Sequence, residues 1–157
     1  MAEYDAALEI DPNDPTAYGS RAISLIVSGR AREGFSPAQL ALRLSPRDPL
    51  AFQWRYWLCH AHLHLHEYGE AIDECRRSVN LNNNLHWYPH VDLVSAYGTT
   101  GQLEQARKAL AELNKVRPNF TVQAYGQLAY AFSTNPQFRR EIDDILDGLR
   151  KGGVPEQ

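Results

Sequence analysis

Apolar residues recur along the chain with a helical rhythm. Leu58, Cys59 and His62 share one helix face, Ala71, Ile72, Cys75 and Val79 the face of the next, and Phe138, Ile142, Ile145 and Leu149 the face of a last one. Spacing of three to four residues predicts amphipathic helices. Gly29-Arg30, Glu67-Tyr68 and Gly101-Gln102 interrupt the rhythm, each between two helical patterns, so the helices come in pairs. A partner helix covers only half of each apolar stripe. Small residues at Cys59, Ala71 and Ser78 let paired helices approach, and a neighbouring pair must bury the remainder.

Prolines divide the chain into repeating units. Pro12-Asn13-Asp14-Pro15 returns 34 residues later as Pro46-Arg47-Asp48-Pro49, and Ala7 and Ala41 are displaced equally. The first proline of each pair ends a helix, because it lacks an N–H and its ring clashes with the preceding turn. The second follows an Asp N-cap at the first helical position, where a missing donor costs nothing. Later units drift: the first helix of the middle unit is expected to be about one turn longer, and Asn82-Asn83-Asn84 replaces a proline turn. Arg117-Pro118-Asn119-Phe120 closes the third unit. Thr121–Phe132 and Asn135–Leu149 read as a final helix pair, with Asn135-Pro136 as start and Lys151-Gly152-Gly153 before Pro155 as stop.

This pattern resembles the tetratricopeptide repeat, a helix–turn–helix unit of 34 residues. Signature positions are taken by Tyr18, Ala22, Leu25, Gly34, Ala41 and Pro46 in the first unit, by Leu58, Cys59, Ala71 and Ser78 in the second, and by Leu93, Tyr97, Ala106, Leu110 and Pro118 in the third. Arg21, Arg55, Val94 and Leu113 depart from the usual types. The resemblance implies an all-α fold, a right-handed α-solenoid of tetratricopeptide helix–turn–helix repeats with C-terminal capping helices. Residues 1–12 would be a half repeat, 15–48, 49–84 and 86–120 three full repeats, 121–150 the capping pair and 151–157 a tail. Because Tyr4, Ala7 and Pro12 fit the second half of a unit, further repeats or domains are expected before Met1. A second resemblance, carried by Leu44–Pro49, Glu74–Arg77 and Asp147–Lys151, is to the repeat tails of bacterial adenylate-cyclase or regulator proteins.

In such arrays the first helix of each pair lines a concave groove. The resemblance therefore implies a peptide- or partner-binding surface of Thr16, Gly19, Ile23 and Val27, then Gln53, Tyr56, Trp57, His60 and His64, then Tyr88, Val91, Asp92, Ser95 and Thr99. Aromatic anchors usually dominate the energy of such surfaces. The family's clamp for acidic chaperone termini uses Lys and Asn, whereas Gly19, Ile23, Trp57, Tyr88 and Asp92 occupy those slots here. An apolar or mixed peptide, or an upstream domain of the same polypeptide, suits the groove better.

Composition narrows the reading further. With 157 residues, 43% hydrophobic and 22% charged, the chain is long enough for one array. A net charge of -3 argues against a nucleic-acid partner. No apolar run approaches the ~20 residues of a membrane span, so a membrane partner is not expected and the cytoplasm is the expected location. Two cysteines, Cys59 and Cys75, cannot build a disulfide scaffold, and small-residue core slots in a cytosolic chain favour buried reduced thiols.

The run Cys59-His60-Ala61-His62-Leu63-His64-Leu65-His66 stands out. His60/His64 and His62/His66 are i, i+4 pairs, either able to present two imidazoles to one metal. A structural zinc site uses about four protein ligands and nothing nearby completes the set, so no metal or other cofactor is expected; His60 and His64 would be the ligands of any site. The simpler expectation puts His62 between helices and His60 and His64 on the surface. Catalytic signatures are missing, since His66-Glu67-Tyr68-Gly69-Glu70 lacks the second histidine of a zinc-peptidase motif. Asp143, Asp144 and Asp147 are expected to form a solvated ion-pair face with Arg139, Arg140 and Arg150. The expected function is non-catalytic protein–protein interaction within a bacterial signalling protein. The alternatives are a self-associating appendage of a larger regulator, acting as a homodimer, and a histidine-based metal-binding module.

Overall fold

Capping side chains and left-handed turn residues set the helix boundaries. The computed structural model describes residues 2–81 and 86–157, so the Asn82-Asn83-Asn84 turn lies outside the described residues. Among the described residues the order is α1 (Ala2–Ile10), α2 (Pro15–Val27), a 3-10 turn (Ala31–Gly34), α3 (Phe35–Leu44), α4 (Ala51–His64), α5 (Tyr68–Leu81), α6 (Tyr88–Thr99), α7 (Leu103–Val116), α8 (Val122–Phe132) and α9 (Pro136–Lys151), with no strand. The Asp14 carboxylate accepts from the Thr16 N–H ahead of Pro15, and the Asn135 carbonyl accepts from Gln137 and Phe138 N–H. Gly29 and Gly101 close α2 and α6 at φ 72° and 73°, where a glycine pays no steric penalty. His66 takes φ 59° after α4, in the corresponding turn of the middle unit.

Helices α2/α3, α4/α5 and α6/α7 pack as pairs, and α3 to α4 and α5 to α6 carry the stack forward. Small residues let the helices approach: Ala22, Ala38, Ala41, Ala61, Ala71 and Ala106 are fully enclosed. The Trp54 indole rests on Gly19, where an added Cβ would lie 2.5 Å from Cδ1. Gly19 is therefore a notch for a core tryptophan and not a lining of the groove. Leu58 and Leu93 are buried in successive units. Leu93→Ala should lower the unfolding free energy by about 2–5 kcal/mol; an unchanged denaturant midpoint would contradict this placement.

Two sequence expectations are corrected here. Cys59 and Cys75 are joined in a disulfide between α4 and α5, with Cα atoms 5.1 Å apart. The close approach that favours small residues at these slots brings the two sulfurs into bonding range. The histidines are also exchanged. His60 and His64 are buried at 6% and 2% exposure, whereas His62 lies at the edge, against Phe35 and hydrogen-bonded to Glu67.

The C-terminal pair does not extend the row of hairpins. α9 lies along α6 and reaches α4, and α8 packs on α9. As a result α6 is covered on every side, and each residue from Pro89 to Gly98 is buried. Glycines permit this contact: a Cβ on Gly148 would sit 2.6 Å from the Ser95 carbonyl oxygen, and one on Gly98 would sit 2.5 Å from the Gly152 nitrogen. The Ser95 hydroxyl donates to the Ile145 carbonyl. The chain end returns to α8, whose Val122 and Gln123 N–H groups donate to the Pro155 and Glu156 carbonyls. The expected acidic and basic face of α9 is also differently paired: Lys151 meets Asp147, Arg150 meets Glu156, Tyr130 donates to Asp143, and His66 approaches Asp144.

Candidate functional site

α2, α4 and α6, the first helices of the three pairs, lie side by side and carry the residues singled out from the sequence. The structure divides them into two groups. Ile23, Val27, Tyr56, Trp57, His60 and Tyr88 line a cavity of about 210 Å³ closed on the far side by Tyr125, Ala129 and Phe132 of α8 and by Phe138 and Ile142 of α9. His64, Asp92 and Ser95 face no solvent: His64 and Ser95 lie against α9, through Glu141 and Ile145, whereas Asp92 lies against His60 and Cys59 of α4. The wall contributed by α8 and α9 was not legible as groove lining, because the sequence shows only that those helices have an apolar stripe.

Most of the cavity wall is aromatic. Tyr56 packs against Trp57, His60 and Tyr88 with ring centroids 4.9, 5.4 and 5.8 Å away. Burial, with the Asp92 carboxylate next in weight, pushes the Tyr56 and Tyr125 phenols well above their ordinary range, so both are neutral at neutral pH. Phe132 is 56% exposed and forms a rim. A volume near 210 Å³ is below the roughly 300–1,000 Å³ of small-molecule sites and is better matched to one or two apolar side chains.

Beside the cavity runs a buried polar chain. His60 Nδ1 lies 2.7 Å from Asp92 Oδ2, His60 Nε2 lies 3.0 Å from His64 Nε2, and His64 Nδ1 lies 2.6 Å from Glu141 Oε2. The i, i+4 spacing puts His60 and His64 on one helix face, and there their Nε2 atoms meet. Gln137 donates to the other Glu141 oxygen, and Phe138 stacks on the His64 ring at 5.2 Å. Burial, then the neighbouring His60, lowers His64 to a pKa of about 4 against the opposing pull of Glu141 and Asp92. Burial pushes Glu141 upward, but hydrogen bonds from His64 and Gln137 outweigh it and hold the carboxyl below its ordinary range. Among the described residues only one Asp92 oxygen has a partner; Oδ1 is buried without one.

No protein-family model and no curated protein sequence matches the chain. Solved structures do. Two crystal structures of MamA resemble it with TM-scores of 0.66 and 0.65 at 19% and 20% identity, each covering 94–95% of this chain and 85% and 76% of MamA. The crystal structure of YrrB, a tetratricopeptide protein described as having an unusual peptide-binding site, aligns with a TM-score of 0.61 at 23% identity over 95% of this chain and 76% of YrrB. The fold is that of a tetratricopeptide-repeat α-solenoid, with the C-terminal helix α9 laid along α6.

Proposed function

We propose that the protein is a non-catalytic interaction scaffold that takes an apolar side chain of a peptide or partner domain into the cavity between α2, α4, α6 and the C-terminal pair. The carrying observation is that α9 fills the inner face over α6 but leaves about 210 Å³ of aromatic-walled space beside Trp57 and Phe132. Of the groove residues proposed from the sequence, Ile23, Val27, Tyr56, Trp57, His60 and Tyr88 would contact the ligand. His64 and Ser95 would instead hold α9, and Asp92 would hold the His60 ring. Support for the partner class comes from the fold shared with YrrB. The wider setting we propose, a bacterial signalling assembly in the cytoplasm, is supported by the resemblance of Leu44–Pro49, Glu74–Arg77 and Asp147–Lys151 to regulator tails.

Selection from a displayed random-peptide library tests the reading. Peptides with one large aromatic or aliphatic anchor should be enriched, and Trp57→Ala and Phe132→Ala should each weaken them by about tenfold or more, the effect of losing roughly 1.4 kcal/mol at an anchor contact. Phe132, on the rim, can be replaced without opening the core. Equal affinities for both folded variants, or no selected peptide, would remove the cavity from the reading.

A further inference from the structure

The disulfide, the Asp92 carboxylate and the histidine chain meet at one point. Cys59 Sγ, Cys75 Sγ and an Asp92 oxygen all lie within 4.8 Å of one another, all buried, on three successive helices α4, α5 and α6. His60 Nδ1 reaches the same carboxylate at 2.7 Å. We propose that reduction of Cys59–Cys75 converts this point into a buried divalent-metal site of the zinc class, with two thiolates and the Asp92 carboxylate as ligands and His60 Nδ1 as the fourth.

The donor set selects the ion. Thiolate and imidazole ligands favour zinc and its tetrahedral analogues over calcium or magnesium, which take oxygen cages. On reduction the two sulfurs, bonded to each other in the oxidised protein, must part to roughly 3.8 Å to share a tetrahedral ion, while the Cys59–Asp92 distance is already close to what four-coordination demands. Metal–sulfur and metal–oxygen bonds of about 2.3 and 2.0 Å at a tetrahedral angle put sulfur and oxygen roughly 3.5 Å apart; Cys59 Sγ stands 3.8 Å from Asp92 Oδ2. That contact is no hydrogen bond in the oxidised protein, because a disulfide sulfur has no proton to donate. The His60 nitrogen and Asp92 oxygen need to separate only to roughly 3.3 Å to share an ion.

One feature of the oxidised protein is left incomplete and would be completed by the metal, a proton count. Three hydrogen bonds join Asp92, His60, His64 and Glu141. Two neutral imidazoles supply two protons, so with both carboxylates ionised either one bond lacks its proton or one imidazole must be charged. With a metal on His60 Nδ1, the His60 proton moves to Nε2 and donates to His64 Nε2, while His64 Nδ1–H donates to Glu141. Every nitrogen is then satisfied by neutral rings, and the ligating histidine has the hydrogen-bonded outer partner that metal sites usually provide.

The chemistry balances simply. A cellular dithiol or thiol reductant gives two electrons and two protons to the Cys59–Cys75 bond and leaves as its own disulfide. Binding of the divalent ion then releases both thiol protons, giving two metal–thiolate bonds. The site would bind one ion in a reducing compartment and none in an oxidising one.

The test titrates cobalt(II) into the full chain, reduced with a phosphine and, separately, oxidised, and watches the thiolate-to-cobalt charge-transfer band and the visible bands of tetrahedral cobalt. The reduced protein should bind one equivalent, zinc should displace it, and the oxidised protein should show neither band. Asp92→Asn should weaken cobalt binding by more than about tenfold, since even outer-sphere partners of metal ligands are worth about 10–100-fold. Cys75→Ser should abolish the charge-transfer band, with helix content measured beside it. A reduced, helical parent without the band, a band that persists in the oxidised protein, or a band indifferent to Asp92→Asn would each overturn the proposal.

Discussion

Phe138→Ala is expected to lower the unfolding free energy by about 3–5 kcal/mol, the usual cost of removing a buried phenylalanine and leaving a cavity. Phe138 is 1% exposed, stacks on His64 and forms one wall of the 210 Å³ space, so its loss joins a new void to an existing one. The neighbours that could collapse inward, Ile142 and Ala129, sit on helices already held by the close contact of Gly148 with Ser95 and by the cap from the chain end. Relaxation is therefore restricted, and the upper part of the range applies. Denaturant unfolding of the variant and parent measures the difference, with Leu103→Ala, on a half-exposed position of α7, as the surface control. A Phe138→Ala variant as stable as the control would mean that α9 does not seal the inner face.

Acid should release the same helix. His64 is folded with a pKa of about 4 against an ordinary value near 6.5, so between those values the unfolded chain binds a proton that the folded chain refuses. Stability from this group is complete above about pH 6.5 and is lost as the pH falls toward 4, at about 1.4 kcal/mol per unit, or roughly 3 kcal/mol across the window. Glu141 acts in the same direction at lower pH, because its folded carboxyl is held below its ordinary range and must be protonated as the medium becomes acidic. The melting temperature should therefore fall steeply from pH 6.5 to 4, and His64→Gln should flatten that dependence while lowering stability at pH 7. A parent whose melting temperature is level across the window would show that the buried histidine chain does not couple to folding.

Much of the solenoid was legible because repeats make long-range order out of local rules. Proline pairs, Asp and Asn caps and left-handed turn glycines place helix ends using only neighbouring residues. The paired stripes around Leu58 and Ala71 then leave neighbouring hairpins little choice but to stack. The lining of the candidate cavity was legible in part. Trp57, Tyr56 and Tyr88 could be assigned to the inner face by repeat position, and the structure places them around one cavity.

What local rules could not express was the return of α9. Its apolar residues Phe138, Ile142, Ile145 and Leu149 announce an amphipathic helix but are equally compatible with ending the row or lying across it. The choice depends on complementary shape: Gly98, Gly148 and Gly152 permit two backbones to touch, and Ser95 offers a donor to a helix carbonyl. These partners are some fifty residues apart in the chain. The same distance effect hid the histidine chain, since i, i+4 spacing brings His60 to His64 but says nothing of Asp92 or Glu141. The sequence by itself determined helices, their pairing and the repeat period, all set by interactions within a turn or two. Only the tertiary structure decided which helix covers α6, whether the two cysteines meet and which charges are buried, because those outcomes depend on surfaces that exist only once the hairpins have stacked.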